Sequence, residues 1–443
     1  MFLALSSLLI ARWQMAITLG FHIVFACFGI GLPLLLVIAE WRYATTGELV
    51  WRQLAKQWAK AFAMLFAVGA VSGTVLAFEL GLLWPGFMGT FGSVIGLPFT
   101  LEAFAFFLEA IFTGIYLYSW DRLTPKVHGM TAIPIAVAGF ASAWFVVTAN
   151  AWMNAPQGFE WIGGAAFHPD PIAAMLNPAT GPQTAHMIVA AYMASGFGVA
   201  AVYATAFLRG LRTRYVRTGM GIALVVGMVA TPIQFVVGDW AAKSVAARQP
   251  IKLAAMEGQF VTEMGAPLRL GGIPDTVAGA TRYAIEVPGM LSWLAYGDRA
   301  ATVQGLNAFP PELHPPVAVV HYAFQIMVAS GTLMLLMTLW STWHWWRRRT
   351  WPTCRLFYLG IILSGIAGFV GIETGWIVTE VGRQPWIVYG IMRTADAVTD
   401  APGIVPLFWT TCAIYAGLSL CTIWALRHVA QPHRGAQETS HAA

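Results

Sequence analysis

Glu380 and Arg383 lie three residues apart in the run Gly375-Trp376-Ile377-Val378-Thr379-Glu380-Val381-Gly382-Arg383-Gln384-Pro385-Trp386, which ends a long apolar stretch. A carboxylate and a guanidinium at a membrane boundary are costly to keep there unless something pairs or binds them. This segment is therefore expected to hold a ligand. Glu102 and Glu109 pose the same question in Pro98-Phe99-Thr100-Leu101-Glu102-Ala103-Phe104-Ala105-Phe106-Phe107-Leu108-Glu109. Seven residues on a helix place both acids on one face, about 10 Å apart along the axis. Two carboxyls on one face of a membrane helix suit a proton relay, although a pair of acids hydrogen-bonded across helices would look the same.

Of the ten histidines, His22, His186 and His321 fall inside apolar runs or at their ends. A histidine so placed is either hydrogen-bonded to a neighbouring helix or bound to something. Depth along the chain puts His22, His186, Met327 and Glu380 in one slab near the outer membrane face. His and Met are both axial ligands of haem iron, and a His/Met pair suits a low-spin electron-transfer haem. With 18 methionines in the chain, Met327 alone would be packing; its company gives it weight. Thr148-Ala149-Asn150-Ala151-Trp152-Met153-Asn154 reaches the same outer level, and Asn150 could hydrogen-bond a buried carboxylate or propionate.

Elements that could position these residues follow from composition. The 443 residues are 58% hydrophobic and 10% charged, with a mean hydropathy of +0.66, which is the profile of a multi-span membrane protein. Runs of about 20 apolar residues occur at 15–39, 56–79, 95–119, 129–151, 184–208, 217–238, 316–343, 356–378 and 405–426. They predict an all-α integral membrane protein of about nine transmembrane helices. Basic clusters follow every second run: Arg42, Arg52, Lys56 and Lys60; Arg122 and Lys126; Arg209, Arg212, Arg214 and Arg217; Arg347, Arg348, Arg349 and Arg355; Arg427 and Arg434. The positive-inside rule then puts the N-terminus outside and the C-terminus inside. No cleavable signal peptide is evident, so the first span is expected to remain. Cys27, Cys354, Cys412 and Cys421 have no CxxC spacing, read as small apolar residues, and suggest neither a thiolate metal site nor a cluster. The net charge of +5 is spent on topology signals, and nucleic acid is not implied.

The predicted organisation is spans 1–6 over residues 1–238, a long outer loop at 239–315 between spans 6 and 7, spans 7–9 over 316–430, and a cytoplasmic tail at 431–443. A loop of that length inside a compact fold is functional or disordered. Within it, residues 249–258 read as a short helix presenting Lys252 and Glu257 to the outer surface. An ordinary amphipathic surface helix is the plainer alternative. No internal repeat points to an inverted-repeat transporter.

Gly-Arg-Gln-Pro-Trp at 382–386, Phe-Phe-Leu-Glu at 106–109 followed by Trp120-Asp121-Arg122, Thr-Ala-Asn-Ala-Trp-Met at 148–153, His186, and Lys-Leu-Ala-Ala-Met-Glu at 252–257 together resemble the motifs of subunit I of the cytochrome bd quinol oxidases. The resemblance covers essentially the whole chain, in order. It implies that His186 and Met327 ligate a low-spin haem b, while His22 and Glu380 ligate a high-spin haem b and a haem d, or haem b in its place. Which of the two takes which is left open. It further implies that Lys252 and Glu257 lie in the quinol-binding loop, with Glu257 accepting a quinol proton. Glu102 and Glu109 would serve the proton path, and Trp376 and Arg383 would flank haems or propionates. Many members carry Arg where this chain has Gln325, two residues before the ligand Met327. An amide supports a reduced haem or a propionate less than a cation does, and in this the chain is similar to the cyanide-insensitive, short-loop branch.

The expected activity is that of a terminal respiratory oxidase in the bacterial inner membrane. Quinol would be oxidised at the outer face and oxygen reduced to water with protons from inside, building proton motive force without pumping. Expected partners are subunit II, a small accessory subunit, quinol, oxygen and the lipid bilayer. The alternative from another class is a proton- or ion-coupled transporter, whose intramembrane Glu and His would be coupling sites. A bis-histidine quinol–cytochrome reductase requires paired histidines on facing helices, and no such pair is present.

Overall fold

A computed structural model describes residues 7–430; the expected tail at 431–443 lies outside the described residues. In chain order the helices are α1 Ser7–Thr46, α2 Leu49–Leu83, α3 Pro85–Tyr118, α4 Pro125–Asn154, α5 Pro171–Met175, α6 Thr180–Leu208, α7 Arg214–Arg248, α8 Pro250–Glu257, α9 Met290–Tyr296, α10 Val317–Arg348, α11 Arg355–Val381, α12 Thr394–Ala397 and α13 Ile404–Ala430. Among the described residues, nine of these are long and apolar enough to cross a membrane, as the hydropathy pattern predicts. They overrun the expected boundaries because helix continues past the apolar window into polar ends: α1 is 40 residues long and α7 runs ten residues beyond 238, to Arg248. Pro33, Pro98, Pro134 and Pro232 sit inside helices, which membrane helices tolerate when neighbours satisfy the freed carbonyls. Cys27 is buried, whereas Cys354 and Cys421 are exposed rather than buried as expected.

The chain divides into two compact units. One comprises residues up to Leu83, Phe107–Gly139 and the segment from Thr399 onward. Here α1 packs along α2, and α13 packs on both. Phe21 stacks on Tyr415 with ring centroids 4.3 Å apart.

The other unit comprises Trp84–Phe106 and Phe140–Val398, with α6 packed against α7 and α11, and α10 against α11. Small residues set these approaches, since there is little hydrophobic drive between helices in lipid and close backbone packing replaces it. A Cβ on Gly196 would lie 2.5 Å from the Gly227 nitrogen, and one on Gly365 2.7 Å from the Ala201 Cβ.

After α7 the long loop folds into short pieces. Three two-stranded antiparallel ribbons pair Glu263–Met264 with Thr302–Val303, Leu268–Leu270 with Ile285–Val287, and Ile273–Asp275 with Ala280–Arg282. The loop has its own apolar cores: Leu253, Ala266, Leu291 and Val303 in one, and Ile251, Met256, Phe260 and Leu306 with Val320 of α10 in another. It is an ordered part of the unit.

Candidate functional site

In the first unit, His22 stands 15 residues, roughly 22 Å, from the start of α1. Its Nδ1 lies 3.0 Å from the Ser72 hydroxyl of α2. Ser72 can spend its own proton on the Val68 carbonyl 2.9 Å away, so its oxygen accepts the Nδ1–H and Nε2 is left with a lone pair. That is the tautomer an iron ligand needs. Gly73 makes room, for a Cβ there would come within 2.9 Å of the His22 ring.

One stripe of the same unit escaped the sequence reading. Gln14 and Thr18 share the face of α1 that carries His22, two turns and one turn before it respectively, and Gln14 Nε2 donates to Glu79 Oε1 at 2.9 Å. Glu79 is buried, and the Gln14–Thr18–His22 spacing of four in an apolar helix was the available signal. Glu109 is also buried here, with Oε1 lacking a partner among the described residues. Glu102 lies on the same helix, α3, as its spacing predicts, but belongs to the other unit.

In the second unit, His186 lies six residues into α6 and Met327 ten residues into α10. Gln234 Nε2 of α7 is 3.1 Å from His186 Nδ1, while the buried Gln234 Oε1 has no partner among the described residues. Turning that amide lets Oε1 accept the Nδ1–H and frees Nε2. Beside Met327, Gly375 of α11 leaves room for the thioether, since a Cβ there would sit 3.2 Å from its sulfur.

Glu380 ends α11. Its Oε1 accepts from Asn150 Nδ2 of α4, and its Oε2 accepts from Arg383 Nη2 at 2.6 Å. Its side chain stays 29% exposed while that of Arg383 is 2% exposed. Each carboxylate oxygen keeps a second lone pair. Arg383 Nε and Nη1 and the Trp376 indole nitrogen are buried with no partner among the described residues. Buried donors are rarely left so, and two guanidinium nitrogens plus an indole N–H match an anionic group such as a propionate. These side chains fit haem: free imidazole nitrogens, a thioether beside a glycine, a partly open carboxylate and unfilled donors.

The short helix in the loop forms as expected, α8, started by Pro250 and stopped by Gly258 at φ 61°. Its side chains correct the expectation of surface display: Lys252 is 2% exposed and Glu257 4%. Lys252 Nζ donates to Asn154 Oδ1 at 2.6 Å and faces the Thr379 carbonyl at 3.3 Å. Burial, with Arg383 nearby, holds this ammonium well below the usual lysine range, Glu380 pulling the other way. Burial pushes the Glu257 carboxyl up to about 8 against the pull of Arg269, and its Oε2 has no partner among the described residues. A carboxyl of that kind can take a proton near physiological pH.

His321 and Gln325 tie the loop to α10. His321 Nδ1 is 2.8 Å from the Met256 carbonyl and Nε2 3.1 Å from that of Gly271. Gln325 accepts from Gly271 N and donates to the Arg269 carbonyl, each at 3.1 Å. Its amide is thus engaged with the loop backbone.

The family model described as cytochrome bd terminal oxidase subunit I matches residues 10–434. A Bacillus subtilis (strain 168) protein assigned as a cytochrome bd menaquinol oxidase subunit I is 36% identical over 97% of this chain and 98% of its own length. The cytochrome bd ubiquinol oxidase subunit 1 of the same organism is 33% identical over 89% of this chain and 86% of its own length. The solved bd oxidase of Geobacillus thermodenitrificans superposes with a TM-score of 0.90 at 37% identity, covering 96% of this chain and 98% of that one. With a family match along nearly its whole length, the chain belongs to the family of cytochrome bd terminal oxidase subunit I.

Proposed function

We propose that the chain works through two sets of its own residues: a quinol site on α8 and a haem-holding set made of His22, His186, Met327 and Glu380. As a family member it is a multi-pass protein of the bacterial inner membrane and a subunit of a respiratory quinol:oxygen oxidoreductase that uses haem; the transporter alternative has no support. The family works with subunit II, quinol and oxygen.

His186 and Met327 would hold a low-spin haem b, and His22 and Glu380 the remaining haem b and the haem d, or haem b in its place. When bound, these groups supply electron transfer from quinol and the reduction of oxygen to water. The protein does the rest. Ser72 and Gln234 orient the imidazoles, Arg383 and Trp376 offer donors to acidic haem substituents, and Asn150 with Arg383 fixes the Glu380 carboxylate. Glu102 and Glu109 would hand protons along α3 from the inside, while Glu257 accepts a proton from quinol on the outer side. The orientation with N-terminus outside, the loop from 239 to 315 as the quinol domain between spans 1–6 and 7–9, and a small accessory subunit belong to the same proposal.

The observation that carries the quinol site is the burial of Lys252 and Glu257 on α8, with Glu257 Oε2 unpartnered. Its test is Glu257→Ala. Quinol oxidation should fall sharply while electrons from an artificial donor still reach oxygen. Equal loss of both would make the loop structural only.

A further inference from the structure

Asn154, the last residue of α4, is assigned to neither proposed site, yet it stands between them. It is buried, and its Oδ1 receives Lys252 Nζ at 2.6 Å and Gln249 Nε2 at 3.2 Å. Its Nδ2 donates to the Asn150 carbonyl at 3.0 Å and faces Asn150 Oδ1 at 3.3 Å. Asn150 in turn donates to Glu380 Oε1, whose other oxygen is held by Arg383. An unbroken polar chain therefore runs Lys252–Asn154–Asn150–Glu380–Arg383, from the loop helix to the carboxylate at the end of α11. Gly382 lets it pass: a Cβ there would be 3.1 Å from Lys252 Cγ.

We infer that Asn154 is a positioning residue that couples occupancy of the quinol loop to the ligand strength of Glu380. This rests on the preceding assignment of Lys252 to the quinol site and Glu380 to a haem. An amide that accepts a hydrogen bond at its oxygen is a stronger donor at its nitrogen, because hydrogen bonds in series polarise one another. A quinol that engages Lys252 changes the hydrogen bond its Nζ gives to Asn154. The change passes through Asn150 to the carboxylate, and outer-shell donors tune ligand basicity and hence the bound group. Such a coupling is reciprocal: the redox state at Glu380 must alter the affinity of the loop for its ligand by the same factor.

The test uses the purified holoenzyme and a redox-inert hydroxyquinoline N-oxide as quinol-site probe, titrated into oxidised and dithionite-reduced protein. Wild type should bind the probe with affinities differing on the order of fivefold or more between the two states. Asn154→Leu should bring that ratio close to one while the probe still binds. Asn154→Asp, equal in size, keeps the oxygen that meets Lys252 and loses the donor that meets Asn150, so it should do the same and guards against a folding defect in the leucine variant. A ratio of one in wild type, or an unchanged ratio in both variants, overturns the inference. Glu380→Ala separates its failure from that of the underlying assignment, since retention of every haem band in that variant would remove Glu380 as a ligand whatever Asn154 does.

Discussion

His22 Nδ1 and the Ser72 hydroxyl lie 3.0 Å apart across α1 and α2, and this contact settles which ring nitrogen faces away from Ser72. Ser72→Ala removes the acceptor and frees both tautomers and the ring orientation. Outer-shell partners of metal-bound histidines are typically worth 10- to 100-fold in affinity. The variant should lose the haem at His22 by about that factor during graded haem extraction, with the His186/Met327 haem unaffected. Equal retention of all haems would separate Ser72 from ligation.

Glu257 carries the pH dependence. Burial pushes its carboxyl up to about 8, and only the ionised form can accept a quinol proton. Quinol oxidation should therefore rise as pH passes upward through about 8. Glu257→Gln should flatten that rise as well as lower the rate. The same shift acts on stability in the opposite sense. Between the ordinary carboxyl range and about 8 the folded protein holds a proton that the unfolded chain has released, so this group's contribution to stability falls as pH increases. Thermal denaturation of Glu257→Gln should show a shallower decline over that window, and an unchanged slope would contradict the assignment.

Gly375 exists for the sulfur beside it. Gly375→Val places a Cβ 3.2 Å from Met327 Sδ and further methyls beyond it, which must push the thioether aside. The expected outcome is loss or conversion of the low-spin spectrum with the protein still folded by circular dichroism. A normal low-spin band would mean that Met327 is not the ligand or moves without cost.

Gln14 and Glu79 test a pair that no motif announced. An interhelical hydrogen bond in a membrane protein contributes roughly 0.6–1.7 kcal/mol. Gln14→Leu removes one hydrogen-bond partner of the buried Glu79 and should lower stability by about that much. Glu79→Gln, which can still meet Gln14 through an amide, should cost less, as read by thermal unfolding in detergent.

Much of this molecule was legible before any coordinates. Hydropathy found nine helices among the described residues because lipid forces each span to declare itself in about 20 apolar residues. That Glu380 and Arg383 need partners followed from the cost of leaving charges alone near a membrane; that Asn150 donates to Glu380 is seen only in the structure. The fate of Lys252 and Glu257 was not legible either. α8 looked like a surface helix because its burial is supplied by residues far away in sequence, Asn154 and Thr379 for Lys252. Gln325 bonds the loop backbone at Arg269 and Gly271, a partnership that its place two residues before Met327 does not announce. Sequence spacing within α10 has no information about the loop that folds over it. Ser72, Glu79 and Asn154 were missed for the same reason: each acts through a neighbour on another helix.

The ligand set proposed here has His22, Met327 and Glu380 each holding a different haem, with His186 and Met327 sharing one. Reduced-minus-oxidised spectra combined with pyridine haemochrome quantification of purified His22→Ala, Met327→Leu and Glu380→Ala test it most directly. Each variant should lose one distinct spectral component and keep the other two, with Met327→Leu removing the low-spin haem b. Retention of all components in any one of the three, or loss of the same component in two, would contradict the ligand set.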